Sequence, residues 1–158
     1  MLVVLLVYSV FQVVYPQCSH KMPFVEPNGA VSINYEPNID YGYDRHKIRQ
    51  KLNALVGVHF YMYRERRLND CWGRTVILYR LVEVDRDIAI NDYIETVCHE
   101  LCHLKYNTAN ERYTQYKTFV TLYESEFRQI ALNIAYKMQR DKYSRQYNCL
   151  GQIIEYLQ

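Results

Sequence analysis

The chain has 158 residues, which is the usual size of one domain that buries a core without disulfide bonds or a structural metal. Its formal net charge is only +2, so overall charge gives no case for binding nucleic acid or an acidic membrane. The five cysteines form no CxxC pair, which argues against a zinc ribbon or zinc knuckle.

The N-terminal segment is almost wholly apolar from Leu2 to Tyr15. Its length suits the apolar region of a signal peptide or anchor and is short of a membrane span. No Lys or Arg precedes it and no A-x-A-like cleavage site follows, so a buried strand is the alternative. The compartment therefore stays open between intracellular, secreted and membrane-attached. Residues 16–43 contain all four prolines and indicate an extension, so we place the folded domain at residues 44–158.

The first part of this domain predicts a helix followed by a small sheet of antiparallel type. Ile48, Leu52 and Leu55 recur at helical spacing, and Gly57 follows as a C-cap. Residues 58–63 then predict a strand, residues 64–67 a basic turn and residues 75–84 a second strand.

Three helical patterns complete the chain. The first runs from Asn91 or Asp92 to Tyr106, with Asn91 as its N-cap. A longer one begins near Thr108 and keeps a helical period for about seven turns, and a short one covers residues 146–157. The apolar stripe of the long helix comprises Tyr113, Tyr116, Val120, Tyr123, Phe127, Ile130, Ile134 and Met138. This order of elements predicts an α+β domain.

The helix at residues 91–106 contains the sequence H-E-x-x-H, with His99, Glu100 and His103 at its fixed positions. Side chains four residues apart on a helix point the same way, so both imidazoles can bind one Zn²⁺. The intervening glutamate stands beside the metal as a general base for hydrolysis of a peptide bond. The preceding strand can hold a peptide substrate by strand addition. The alternative is two solvent-facing histidines with an unrelated glutamate between them.

Three runs of the sequence carry a resemblance to a known family. They are C-W-G-R-T at residues 71–75, I-L-Y-R-L-V at residues 77–82 and H-E-L-C-H-L-K-Y at residues 99–106. Together they resemble the SprT-like and YgjP-like zinc metallopeptidases, a group that includes the Spartan-type proteases acting on proteins crosslinked to DNA. The resemblance covers residues 44–123. It implies a zincin-like fold, one zinc per chain held by His99 and His103, Glu100 as catalytic base, a protein or peptide substrate, and an association with nucleic acid.

The sequence departs from this family at the third metal ligand. The family usually has a histidine six residues after the second motif histidine, and Ala109 stands there. Glu111 is near, but Thr108-x-x-Glu111 also fits a helix capping box. Glu124 lies on the edge of the apolar stripe, yet more than about 20 Å along the helix. Weaker candidates are Tyr113, Tyr116 and His59. The third ligand stays open, and a catalytically inactive binding module is the alternative function.

Two further interpretations rest on single features. Arg64, Arg66 and Arg67 lie near Tyr61 and Tyr63, a combination that suits a nucleic-acid backbone or, alternatively, a solvated hairpin turn. The apolar N-terminal segment alone suggests a secreted or membrane-anchored interaction protein. The particular substrate and the oligomeric state are left open by the sequence.

Overall fold

The structure is a computed structural model that describes residues 24–25, 31–140 and 145–158. Two short antiparallel strands, β1 (Phe24–Val25) and β2 (Val31–Ser32), precede the main body in the chain. The main body then contains, in chain order, α1 (Arg45–Val56), β3 (Met62–Arg66), β4 (Gly73–Val76), a 3₁₀ turn (Ile77–Tyr79), β5 (Leu81–Asp85), α2 (Ile90–Lys105), α3 (Glu111–Tyr123), α4 (Arg128–Arg140) and α5 (Leu150–Leu157). The described residues therefore form an α+β fold. The predicted signal, anchor or strand at residues 2–15 lies outside them.

Helix α1 forms where the sequence predicts it. The side chain of Asp44 caps its first turn by accepting a hydrogen bond from the Lys47 amide at 2.8 Å. Gly57 ends it at a φ of 82°, a left-handed conformation that costs glycine little. The helix buries Ile48 and Leu52 completely against the core.

The three-stranded sheet has the order β3-β5-β4 and is mixed, so the predicted antiparallel type is wrong in part. Strand β5 pairs with β4 antiparallel and with β3 parallel. The predicted strand at residues 58–63 and basic turn at residues 64–67 are also displaced, because β3 occupies Met62–Arg66. Glu83 at the centre of β5 explains this shift, since it forms ion pairs with Arg64 and Arg66 on β3 and holds them in the sheet.

The predicted single strand at residues 75–84 is two strands joined by a tight connection. Residues Ile77–Tyr79 form a 3₁₀ turn, and Arg80 follows with a φ of 48°. The chain reverses there, so that Val76 of β4 pairs with Leu81 of β5. Apolar periodicity alone does not reveal this turn, because the turn residues are themselves apolar.

Helix α2 lies at the centre of the fold, packed between α1, the sheet, α3 and α4. Every residue from Tyr93 to Leu104 is buried, including both thiols of Cys98 and Cys102, which are free cysteines inside the core. The helix begins at Ile90 after Ala89. The predicted N-cap at Asn91 is therefore wrong. The side chain of Asn91 instead accepts a hydrogen bond from the Ile39 amide and donates one to the Ile39 carbonyl, both at 2.8 Å.

The predicted long helix from Thr108 is two helices, α3 and α4. The side chain of Ser125 causes the break, because it donates to the Leu122 carbonyl at 2.7 Å and accepts from the Phe127 amide at 3.0 Å. The core face of α3 also differs from the predicted stripe. Phe119 and Leu122 are fully buried there, whereas Tyr113, Tyr116 and Val120 are only partly buried.

The last helix, α5, begins at Leu150 and is shorter than the predicted residues 146–157. It buries Ile153 and Leu157 against the core. Among the described residues, no helix has both the length and the apolar character needed to cross a membrane. The boundary placed after residue 43 stays a prediction.

Candidate metal centre

The turn between α2 and α3 brings the candidate site together. Asn107 adopts a φ of 48°, and the chain reverses within the few residues between the two helices. Asn110 caps α3 by accepting from the Tyr113 amide at 2.9 Å, so the predicted capping box of Thr108 and Glu111 is wrong. Glu111 is thereby free of a capping role, and its side chain points at the two motif histidines.

Three potential ligands converge at this place: His99, His103 and Glu111. The two Nε2 atoms lie 3.1 Å apart, and the Glu111 carboxylate lies 2.9 Å from that of His99 and 3.2 Å from that of His103. In a tetrahedral zinc site with bonds of about 2.0–2.1 Å, ligand atoms stand about 3.3 Å apart. The separations in this site therefore fit a metal ion held by two imidazoles and one carboxylate.

Hydrogen bonds on the far side of each ring turn the Nε2 atoms toward this centre. The Nδ1 atom of His103 lies 2.7 Å from the Thr108 carbonyl oxygen, which can only accept, so Nδ1 carries a proton. The Nδ1 atom of His99 lies 2.7 Å from Oε1 of Gln115. The amide of Gln115 is oriented by Glu95, which accepts from its Nε2 at 3.0 Å. In its neutral form each ring would therefore keep an Nε2 lone pair for a metal.

The electrostatics of the three groups agree with a cation site. Burial lowers the pKa of His99, but its hydrogen bond to Glu111 and the nearby carboxylates outweigh burial and raise the pKa to about 9. Burial raises the pKa of Glu111, but hydrogen bonds from the two histidines outweigh it and bring the pKa to about 2. Positive charge is therefore favoured between these groups, whether protons or a metal ion supply it.

Both histidines are enclosed, with exposed fractions of 6% for His99 and 5% for His103. The alternative of two solvent-facing histidines is therefore wrong. They lie on the side of α2 that packs against α3, and α3 supplies Gln115 and Glu111 as their partners. Burying a polar ring costs free energy unless the ring is hydrogen-bonded, and both histidines have such partners here.

Glu100 lies beside the three groups and is fixed by strand β4. The hydroxyl of Thr75 donates to Oε2 of Glu100 at 2.5 Å. Strand and helix approach closely because Gly73 has no side chain: a Cβ there would lie 2.6 Å from Cγ2 of Thr96 and 3.1 Å from Cγ of Glu100. Burial raises the pKa of Glu100 and so increases its affinity for a proton.

Two cavities of about 300 and 330 Å³ flank this glutamate along the edge of β4. Both are lined by Asp70, Cys71, Gly73, Glu100 and Tyr147. The ring of Tyr147 lies 5.7 Å from that of His99, centroid to centroid, although no sequence motif marks this tyrosine as part of the site. The site is thus open to a ligand from the strand edge while its histidines stay enclosed.

The other candidates for the third ligand lie elsewhere. Glu124 follows α3 at its far end and accepts a hydrogen bond from the Tyr156 hydroxyl. His59 is exposed in the connection between α1 and β3. The rings of Tyr113 and Tyr106 pack edge to face, and Tyr116 packs against Tyr156. Ala109 lines a cavity beside the site but has no side-chain ligand atom, and Glu111 is the third group of the candidate site.

Of the three arginines considered for nucleic-acid binding, Arg64 and Arg66 lie within β3 and Arg67 directly follows it. Arg64, Arg66 and Arg74 all form ion pairs with Glu83, whose side chain is only 3% exposed. The solvated hairpin turn is wrong as an explanation, because Arg64 and Arg66 lie within β3. Association with nucleic acid stays a prediction from the resemblance alone.

Comparison with known proteins assigns no family to this chain. No protein-family model matches it, and no curated protein matches it. A solved structure that is similar is that of the metallopeptidase zymogen abylysin from Pyrococcus abyssi, at 20% identity and a TM-score of 0.46. The match covers 61% of this chain and 97% of that one. Likeness of this degree assigns no function to this chain.

Proposed function

We propose that this chain is a zinc-dependent metallopeptidase in which His99, His103 and Glu111 hold the zinc and Glu100 is the general base. One observation carries the proposal. Two imidazole nitrogens and a carboxylate converge within 3.2 Å of one another in a cleft beside a further buried carboxylate. A site that only stabilised the fold would need neither the cleft nor the additional carboxylate.

The donor set favours zinc in a catalytic site. Two histidines and one glutamate are three protein ligands, which leave one coordination position for water or substrate. The thiols of Cys98 and Cys102, both on α2, are buried in the hydrophobic core, so they do not complete a closed structural site. When bound, zinc would polarise a carbonyl and lower the pKa of a water molecule.

The chain's own residues supply the remaining steps. Glu100 accepts a proton from the attacking water on its carboxylate and passes it to the leaving amine. Thr75 holds Oε2 of that carboxylate and thus fixes the side chain. A substrate in extended conformation would pair with β4, which lies at the edge of the sheet order β3-β5-β4.

Glu100→Gln tests this role, because it removes the base and keeps the shape of the side chain. We expect loss of peptide hydrolysis by about 10²–10⁴-fold, with an unchanged zinc content. Hydrolysis is measured on a peptide library with cleavage sites identified by mass spectrometry. Glu155→Gln, at an exposed position on α5, is the matched control. A zinc-loaded wild-type chain that cleaves no peptide would identify a metal-binding module without catalysis.

A further inference from the structure

Exposed apolar side chains are concentrated at one end of the sheet. Large apolar residues that are strongly exposed, among those the structure describes, include Phe60 at 87%, Met62 at 59%, Leu78 at 53% and Tyr79 at 67%. We call these four residues the apolar rim. They are linked through Arg80, whose side chain donates to the Phe60 carbonyl and whose carbonyl accepts from the Met62 amide, both at 2.8 Å.

The rim continues from the cleft along strand β4. Ile77, directly before Leu78 and Tyr79, lines the same cavity as Glu100 and Glu111. At the opposite end of β4, Trp72 is 50% exposed and lines the other cavity, the one of about 300 Å³. Large apolar side chains therefore stand on both sides of the candidate catalytic glutamate, along one strand.

The backbone of β4 is oriented for pairing in this cleft. The Asp85 amide donates to the Trp72 carbonyl at 2.7 Å, which makes these two residues a hydrogen-bonded pair. Because such pairs alternate along an antiparallel ladder, the backbone groups of Gly73 and Thr75 point away from β5. These are the two residues that lie against Glu100. An extended peptide paired with them would run between Trp72 and the apolar rim.

We propose that the apolar rim and Trp72 select extended polypeptide segments with large apolar side chains on both sides of the cleaved bond. This inference rests on the proposed peptidase function and specifies its substrate class. Leu78 lies three residues beyond Thr75, in the 3₁₀ turn that follows the end of β4. The rim therefore lies where a substrate paired with Gly73 and Thr75 would extend past the end of the strand. Segments of this kind are buried in folded proteins and accessible in unfolded ones.

Peptide binding to the Glu100→Gln variant tests the inference without requiring catalysis or metal. Trp72 is the one tryptophan of the chain, so its fluorescence reports on the cleft directly. Two tryptophan-free peptides are compared: one with Leu and Phe at alternate positions, and one with Ser at those positions. We expect saturable binding of the apolar peptide that is at least about tenfold tighter than binding of the serine peptide.

Substitution of the rim separates its contribution from that of the cleft. Leu78→Ser combined with Tyr79→Ser, in the Glu100→Gln background, is expected to weaken binding of the apolar peptide by about tenfold. Binding of the serine peptide should stay unchanged. Tyr35→Ser is the matched control. Tyr35 is also exposed, but it lies outside the rim and stacks on Tyr136 of α4, so its replacement should leave peptide binding unchanged. Thermal unfolding of each variant verifies that the fold is retained.

Two results would overturn the inference. Equal affinity for both peptides, or unchanged binding by the double rim variant, would show that the rim contacts no substrate. A rim variant that changes the sedimentation coefficient of the peptide-free chain would show that a second copy covers this surface instead. Neither result depends on hydrolysis, so failure of the peptidase proposal stays distinguishable from failure of this one.

Discussion

At the scale of single residues, the orientation of each histidine depends on a partner outside the H-E-x-x-H sequence. Gln115 holds Nδ1 of His99 and is itself fixed by Glu95. The Thr108 carbonyl holds Nδ1 of His103. Such outer contacts select the tautomer and aim the remaining nitrogen at the metal. The orientation of the two imidazole rings therefore depends on α3 and the turn before it as much as on α2.

Replacing Gln115 tests this dependence. Gln115→Leu removes the acceptor for Nδ1 of His99, so we expect zinc affinity to fall about 10–100-fold. Affinity is measured by competition with a chromophoric chelator. Gln129→Leu is the control, since Gln129 is a partly buried glutamine that bonds the Asn34 carbonyl and Asn133. Equal zinc affinity in Gln115→Leu and wild type would show that the ring of His99 needs no such partner.

Sequence alone identifies two of the three converging side chains. The i, i+4 spacing of His99 and His103 fixes their common direction on any helix. Glu111 stays ambiguous in the sequence because its spacing from Thr108 also fits a capping box. Its position depends on how the chain turns at Asn107, where a φ of 48° shortens the path between two helices. A backbone conformation of this kind leaves little trace in residue type, since asparagine also occurs in many other turns.

At the scale of elements, the site requires a close approach between β4 and α2. Gly73 makes this possible, because any Cβ would overlap Cγ2 of Thr96 and crowd Glu100. The contact holds Glu100, the proposed general base, against the strand that we expect to bind substrate. Crowding here should therefore affect stability and activity together.

Gly73→Ala measures the cost of losing this space. We expect it to lower the free energy of unfolding by about 1–3 kcal/mol, because the added methyl forces the strand or helix to shift. Urea denaturation in the presence of a chelator isolates this effect from metal binding. Gly151→Ala in α5 is the control: its Cβ meets nothing within 4 Å, so about 0.4–1 kcal/mol of stabilisation is expected. A neutral Gly73→Ala would mean that β4 can move away from α2 freely.

The elements differ in how well the sequence predicts them. Helix α1 follows from its periodicity and from caps at both ends, Asp44 and Gly57. The parallel pairing of β3 with β5 does not follow, because it depends on Glu83 reaching arginines on both neighbouring strands. Likewise, apolar periodicity continues across Ser125, and only its hydrogen bonds to Leu122 and Phe127 reveal that α3 ends there.

At the scale of the whole molecule, the three groups of the proposed metal site come from two helices. His99 and His103 belong to the central α2, whereas Glu111 is the first residue of α3. A bound metal would join these helices near the middle of the fold. Metal binding is therefore expected to stabilise the folded chain as a whole.

Chelation should show this coupling in thermal unfolding. With free zinc about 1,000-fold above Kd, removal of the metal lowers Tm by roughly 10 °C for a chain of this size. The measurement is differential scanning calorimetry with and without a chelator. His59→Ala, an exposed histidine outside the site, should retain the full shift, and His103→Ala should lose it. An equal Tm with and without chelator in the wild type would rule out a structural link between metal and fold.

The central claim is that Glu111 completes a zinc site with His99 and His103, and metal content tests it most directly. The measurement is elemental analysis of purified wild-type chain beside Glu111→Ala, with Glu124→Ala, at the residue that directly follows the same helix, as the glutamate control. We predict about one zinc per chain in the wild type and in Glu124→Ala, and loss of zinc in Glu111→Ala. A wild-type chain without zinc, or full zinc content in Glu111→Ala, would contradict the account.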